Sequence, residues 1–214
     1  MKDTNSRDVK TTGSGTPRLA SHNKVLWITK AGILAAIATV LMYLEFPIPL
    51  MPVFLKYDFS DIPALLAAFS MGPLTGVIVQ LVKNILHLLV SHTALVGELA
   101  NFVMGSAFVA TAGLIYRRKK TRGGAVQGLA AGTVALTVAG ALINYFIMIP
   151  FYISAMGISL EQIIGATAAA GNTLVHDMWS LILYVFIPFN IFKGTTISLL
   201  VLLIYKKLSP LLHK

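Results

Sequence analysis

The run VLWITKAGILAAIATVLMYL, residues 25–44, carries one charge in twenty positions, and similar runs recur along the chain. A helix needs about 20 apolar residues to cross a bilayer, where every backbone polar group must be paired within the protein. The apolar segments fall at 25–44, 59–71, 74–90, 96–116, 124–152 and 188–205; the second is short and closed by Gly72-Pro73. Only 12% of the 214 residues are charged, against about a quarter in soluble domains. The expectation is an all-α integral membrane protein with six transmembrane helices in a domain over residues 25–210. Residues 1–24, polar and rich in Ser, Thr and Gly, are expected to form a disordered cytoplasmic tail. No short apolar core with a cleavage site precedes the first run, which argues against a signal peptide. The chain has no cysteine, which excludes disulfides, thiolate catalysis and Cys-ligated metals.

A net charge of +9 could suggest nucleic acid, but its placement argues for topology instead. Six Lys or Arg lie before or just inside the first run. Five form RRKKTR at 117–122 and three follow the last run, fourteen of the seventeen in all. Basic loops stay cytoplasmic. Four crossings before RRKKTR and two after it put all three clusters, and both termini, inside. The segment 159–186 would break that parity as a single crossing and contains Glu161, His176 and Asp177. It is expected to be an extracellular connection with helical pieces, Trp179 and Tyr184 resting at the interface; a re-entrant segment is the alternative.

That orientation assigns each polar residue a depth. The second and third runs form a hairpin about Gly72-Pro73, so Asp61 matches Asn84, next to Lys83, and Asp58 matches His87. Gln80, Lys83, Asn84 and His87 share one helical stripe. Glu98 and Asn101 share a face of the fourth helix, Asn190 and Lys193 a face of the last, and Asn144 lies toward the outer end of the fifth. All fall in the outer half, while the inner half reads as Gly, Ala, Thr and aliphatic residues. Polar groups at membrane depth are costly and persist facing the protein interior, so their convergence predicts a pocket filled from outside. Asp58, Ser60 and Asp61 also suit a helix N-terminus, Asp61 and Lys83 suit an interhelical pair, and Lys193 could snorkel to the surface. Asn144, Asn190 and Lys193 read together as three uncompensated donors. His87 is expected to be a satisfied interface histidine, since no partner set has metal-ligand spacing. No phosphate loop, HExxH or GxSxG is present. Glu98 and His87 as base and partner of a membrane enzyme form the catalytic alternative.

The first run contains two small-residue pairs, Ala31/Ala35 and Gly32/Ala36. Small residues four apart let helices approach closely in membranes. They suit either internal packing or a partner docking at the inner half.

The stretches KYDFSDIPALLAAFSMGPLTGVIVQLVKNILHLL (56–89), GELANFVMG (97–105) and IPFNIFKG (187–194) together resemble the substrate-binding S components of energy-coupling factor (ECF) vitamin transporters, most nearly the riboflavin-binding members. The resemblance implies six helices with the vitamin near the outer surface, covered by the loop at 45–58. It implies a multi-pass protein of a bacterial cell membrane, working with a membrane coupling protein (the T component) and two ABC-type ATPases. Riboflavin would be the transported ligand, with no cofactor, metal or nucleic acid; another water-soluble vitamin is the alternative. By the same resemblance Asn144, Asn190 and Lys193 would hydrogen-bond the isoalloxazine ring, with Glu98 and Asn101 as further contacts. Met51, Val53, Phe54 and Tyr57 would supply apolar cover, and Ala31 and Ala35 would dock the coupling protein.

Overall fold

The apolar runs fold as helices in the order the sequence places them. The computed structural model describes residues 17–49, 51, 52, 55–91 and 95–212, with side chains described between 24 and 205 within those ranges. Most of the expected tail, and the cover residues Val53 and Phe54, lie outside the described residues. Helix α1 spans Pro17–Tyr43 and so starts ahead of the apolar run. Strands β1 (Phe46–Pro47) and β2 (Lys56–Tyr57) then pair antiparallel, Phe46 opposite Tyr57. Helices α2 (Asp61–Met71) and α3 (Pro73–His87) turn about Gly72, whose φ of 102° favours a residue with no Cβ. A 3-10 turn, Leu88–Val90, ends that hairpin. Helix α4 is Val96–Arg118. The basic RRKKTR stretch turns the chain into α5, Arg122–Ser154, which contains a π-helical turn at Asn144–Met148. After a short α6 (Leu160–Ala169), the last helix, α7, starts at Met178, passes a π-helical turn at Ile182–Phe186 and continues over Ile187–Leu212.

Among the described residues five helical stretches have the length and apolarity to cross a membrane: Lys24–Tyr43, Pro73–Val90, Val96–Arg118, Arg122–Ser154 and Met178–Tyr205. Helix α2 has 11 residues, about 16 Å at 1.5 Å per residue, short of a hydrocarbon core of about 30 Å. Neighbouring helices enclose it instead, and Pro63 through Phe69 are all buried.

The start of α7 corrects the sequence expectation. Residues 178–186 are not connection but the first turns of the last helix. Asp177 caps it, accepting from Ser180 N at 2.7 Å, while Ser180 Oγ accepts from Asp177 N at 2.9 Å. Pro188 looked like a break because proline lacks the N–H that an interior helical position needs. The chain accommodates it by widening into a π turn that ends two residues earlier. Pro150 stands in the same relation to the π turn of α5. Only residues 159–177 remain as connection, and α6 occupies their first half.

Ala31 and Ala35 are 7% and 5% exposed and pack toward the protein's own interior with Ala38. The second small pair, Gly32 and Ala36, is the exposed one. The half of the bundle nearer the RRKKTR turn, read from sequence as Gly, Ala, Thr and aliphatic residues, also holds an aromatic cluster. Tyr116 and Tyr205 meet hydroxyl to hydroxyl at 2.6 Å, with the Phe69 ring 4.4 Å from that of Tyr116. Pairing the two hydroxyls satisfies polar groups that would otherwise be stranded in an apolar interior.

Candidate functional site

At the end of the bundle opposite the RRKKTR turn lies a cavity of about 300 Å³, at the lower bound of small-molecule sites, about 300–1,000 Å³. Every membrane-depth helix reaches it. α1 contributes Met42 and Tyr43, α2 Asp61, α3 His87, α4 the stretch Gly97 to Gly105, α5 Leu136 to Tyr152, and α7 Phe186 to Lys193. Glu45, Leu55 and Lys56 close it from the β-hairpin. Apolar side chains, Met42, Leu136, Met148, Phe186 and Phe189 among them, share the walls with polar and charged ones in similar number.

Of the residues singled out in the sequence, Asn144, Asn190, Lys193, Glu98 and Asn101 all line this one cavity. Tyr57 and Met51 do not. Tyr57 is buried beneath the hairpin, its hydroxyl 2.6 Å from Thr196 Oγ1 and its ring 5.9 Å from Phe192. Met51 packs on the core. Among the described residues the cover comes from Leu55, Lys56 and Glu45, which the sequence did not single out because alternation in so short a hairpin carries little signal.

The charges at 58 and 61 have a different use from helix capping: Ser60 makes no side-chain cap bond to α2. Asp61 Oδ1 accepts from Lys83 Nζ at 2.8 Å and Gln80 Nε2 at 2.7 Å. Asp58 Oδ2 accepts from Lys193 Nζ at 2.9 Å, and Asp58 Oδ1 accepts from the backbone N–H and the hydroxyl of Ser60. Lys83 also donates to Ser60 Oγ at 2.6 Å, and Asp61 Oδ2 lies 3.6 Å from Lys193. Two aspartates and two lysines, all buried, thus form one neutral cluster joining the loop, α2, α3 and α7. Isolated, each charge would cost several kcal/mol in such surroundings; together they leave no net charge. The expected Asp61–Lys83 pair is present. Lys193, read as an uncompensated donor, is paired instead.

The two asparagines also differ from the simple donors expected. Asn144 Nδ2 donates back to Gly140 O at 2.7 Å and Asn190 Nδ2 to Phe186 O at 2.8 Å. One N–H of each amide is used within its own helix. Asn190 Oδ1 is buried with no hydrogen-bond partner. A buried acceptor left unpaired costs about 1–3 kcal/mol, so its natural complement is a ligand N–H. Each amide thus offers an acceptor beside a donor, the pattern that meets an imide edge.

Across the cavity His87 Nδ1 lies 3.2 Å from Glu98 Oε1, and Ser91 Oγ donates to Glu98 Oε2 at 2.8 Å. Depth arithmetic had set His87 level with Asp58; its partner is on α4. The Tyr43 ring lies 5.4 Å from the His87 ring, so this cluster is built into the wall. Among the described residues no group of three or more His, Asp or Glu is arranged to hold a metal ion.

Gly140 is a site residue that sequence reading passed over. Its carbonyl fixes Asn144, and a Cβ on it would stand 2.5 Å from Asn190 Nδ2 and 3.1 Å from Met104 Cε. Its lack of a side chain makes room for the Asn190 amide. One glycine among many in an apolar helix carries no signal of that kind.

The chain is similar to known proteins over most of its length. The family described as "ECF transporter, substrate-specific component" matches residues 27–205. The chain is 41% identical to the riboflavin transporter RibU of Staphylococcus aureus, over 85% of this chain and 89% of that one. It is 33% identical to the riboflavin transporter FmnP of Bacillus subtilis, over 87% and 94%. A solved structure described as the S component of a bacterial ECF transporter superposes with a TM-score of 0.69 at 36% identity, covering 89% of this chain and 99% of that one.

Proposed function

The chain belongs to the substrate-specific components of ECF transporters, and on that premise we propose that its cavity captures riboflavin for uptake. The chain is a transport component and not an enzyme. The observation that carries the ligand reading is the convergence of Asn144, Asn190 and Lys193 on one cavity with apolar side chains between them, Asn190 Oδ1 being buried and unpartnered. Isoalloxazine is a flat apolar ring system with one edge of carbonyl and imide groups. Apolar walls and a few placed polar groups suit it, and a site built on hydrogen bonds rejects analogues that leave those groups unpaired. Glu98 and Asn101, on the same cavity, would meet hydroxyls of the ribityl chain.

The chain crosses the bacterial cell membrane six times in this reading, α2 being the short crossing shielded by its neighbours. Both termini and RRKKTR face the cytoplasm, and the cavity faces outside. With no phosphate loop in the sequence, energy comes from two ABC-type ATPases acting through the membrane coupling protein. The exposed Gly32/Ala36 face of α1 is the small-residue surface available to that coupling protein, since Ala31 and Ala35 are buried.

Titration of the detergent-purified chain with riboflavin is expected to quench flavin fluorescence in a saturable, one-to-one manner. Absence of quenching at micromolar concentrations would refute the ligand assignment. The same titration tests Gly140. Gly140→Ala pushes a methyl group against the Asn190 amide and is expected to weaken binding about tenfold, equal to 1.4 kcal/mol. Unchanged affinity would show that Asn190 moves aside freely.

A further inference from the structure

Lys193 is the buried cation the cavity presents, and its charge is already answered from behind the wall. Asp58 Oδ2 holds its ammonium at 2.9 Å and Asp61 Oδ2 stands 3.6 Å away, while Lys83 at 2.8 Å from Asp61 completes the neutral cluster. Asp58 does not line the cavity; it acts on the contents only through Lys193. The remaining charged lining groups give no positive excess. Glu98 faces His87 at 3.2 Å, and Glu45 pairs with Lys56 at the mouth. Among the described residues the charges around the cavity therefore sum to zero with His87 protonated and to minus one with it neutral. In a low-dielectric cavity an uncompensated positive charge would favour an anionic ligand, and this arrangement leaves none in either state of His87.

We propose that Asp58 is a specificity-determining positioning residue: by balancing Lys193 it makes the cavity select a neutral, oxidised flavin ring over the anionic reduced one. The inference rests on the riboflavin reading above. Two electrons and one proton convert the neutral oxidised ring into a hydroquinone monoanion, with the charge on the pyrimidine half that bears the carbonyl and imide groups. A bare lysine beside that half would favour the anion; a lysine answered by an aspartate donates a hydrogen bond without favouring it.

The test is a reductive titration of riboflavin bound to the whole chain, with dithionite and mediator dyes at mildly alkaline pH, where the reduced flavin is an anion. The midpoint shift on binding reports the ratio of the two affinities, tenfold being about 30 mV for a two-electron couple. Wild type is expected to bind the reduced form at least about tenfold more weakly, lowering the midpoint by about 30 mV or more. Asp58→Asn, which leaves Lys193 unbalanced, is expected to return the midpoint to that of free riboflavin or above it, while Asp58→Glu keeps it low. A merely structural Asp58 would weaken both forms in parallel and leave the midpoint where it was, and that result overturns the proposal. Should Asp58→Asn not fold, the wild-type measurement decides alone: a midpoint at or above that of free riboflavin sinks the idea, and a lowered one upholds it. If riboflavin quenches on the wild type but the midpoint behaves otherwise, the transport reading survives and only this inference is lost; if riboflavin does not bind, the transport reading itself fails.

Discussion

Asn190→Ala is expected to weaken riboflavin binding by about 100-fold without lowering the unfolding midpoint of the empty protein. The first half follows from the ligand side. Removing the amide leaves an imide N–H of the bound ring buried with no acceptor, at about 1–3 kcal/mol, and every 1.4 kcal/mol is tenfold in Kd. The second half follows from the empty protein, where Asn190 Oδ1 is buried and unpaired. Alanine gives up one bond, Nδ2 to Phe186 O, but also removes an unpaired acceptor, and the two offset each other. The combination separates a binding group from a packing group: a core residue lost from α7 would lower affinity and thermal midpoint together. Fluorescence titration beside a melting curve in detergent gives both readouts. Undiminished affinity in the variant would remove Asn190 from the site.

Lys83→Met carries the largest expected loss of stability. Lys83 has no exposed surface and is the nearer of the two cations that Asp61 meets, at 2.8 Å against 3.6 Å for Lys193. Removing one partner of a buried pair typically costs about 3–5 kcal/mol, because a charge remains without its counterpart. In a chain of this size that lowers the unfolding midpoint by about 10 °C. Pairing the change with Asp61→Leu is expected to restore most of the loss, since exchanging both charges for apolar groups is often close to neutral. The Lys193–Asp58 contact stays in place in that double variant. A double variant no more stable than Lys83→Met alone would show that the four groups act as a single unit and not as two pairs.

Much of the fold was legible because the bilayer imposes so few solutions. Run length located the helices, and the RRKKTR cluster and Gly72-Pro73 marked where the chain turns. The stripe at Gln80, Lys83, Asn84 and His87 told which face of α3 is buried, and hairpin arithmetic brought Asp61 to Lys83. What a stripe cannot tell is which neighbouring helix it meets. Lys193 and Asp58 are 135 residues apart in sequence, and His87 turned out to face Glu98 on α4. The π turns were invisible for a related reason. Each is a local widening that the prolines at 150 and 188 tolerate, whereas proline in an apolar run reads as an end. The cavity residues Leu136, Met148 and Phe186 looked like ordinary span residues, since apolar wall and apolar core have the same composition.

The two contacts made by neighbouring residues at the end of the β-hairpin determine how the cavity is roofed. Tyr57 is tied to the half-buried Thr196 and Asp58 to the buried Lys193, both on α7. At the far corner Glu45 and Lys56 meet where their side chains are 25% and 43% exposed, a contact worth about 0–1 kcal/mol. Strength is therefore lopsided: the described part of the roof is held firmly to α7 and only lightly tacked above α1. Opening this end therefore costs least at the Glu45–Lys56 corner, while the helix that supplies Asn190 and Lys193 holds the other side.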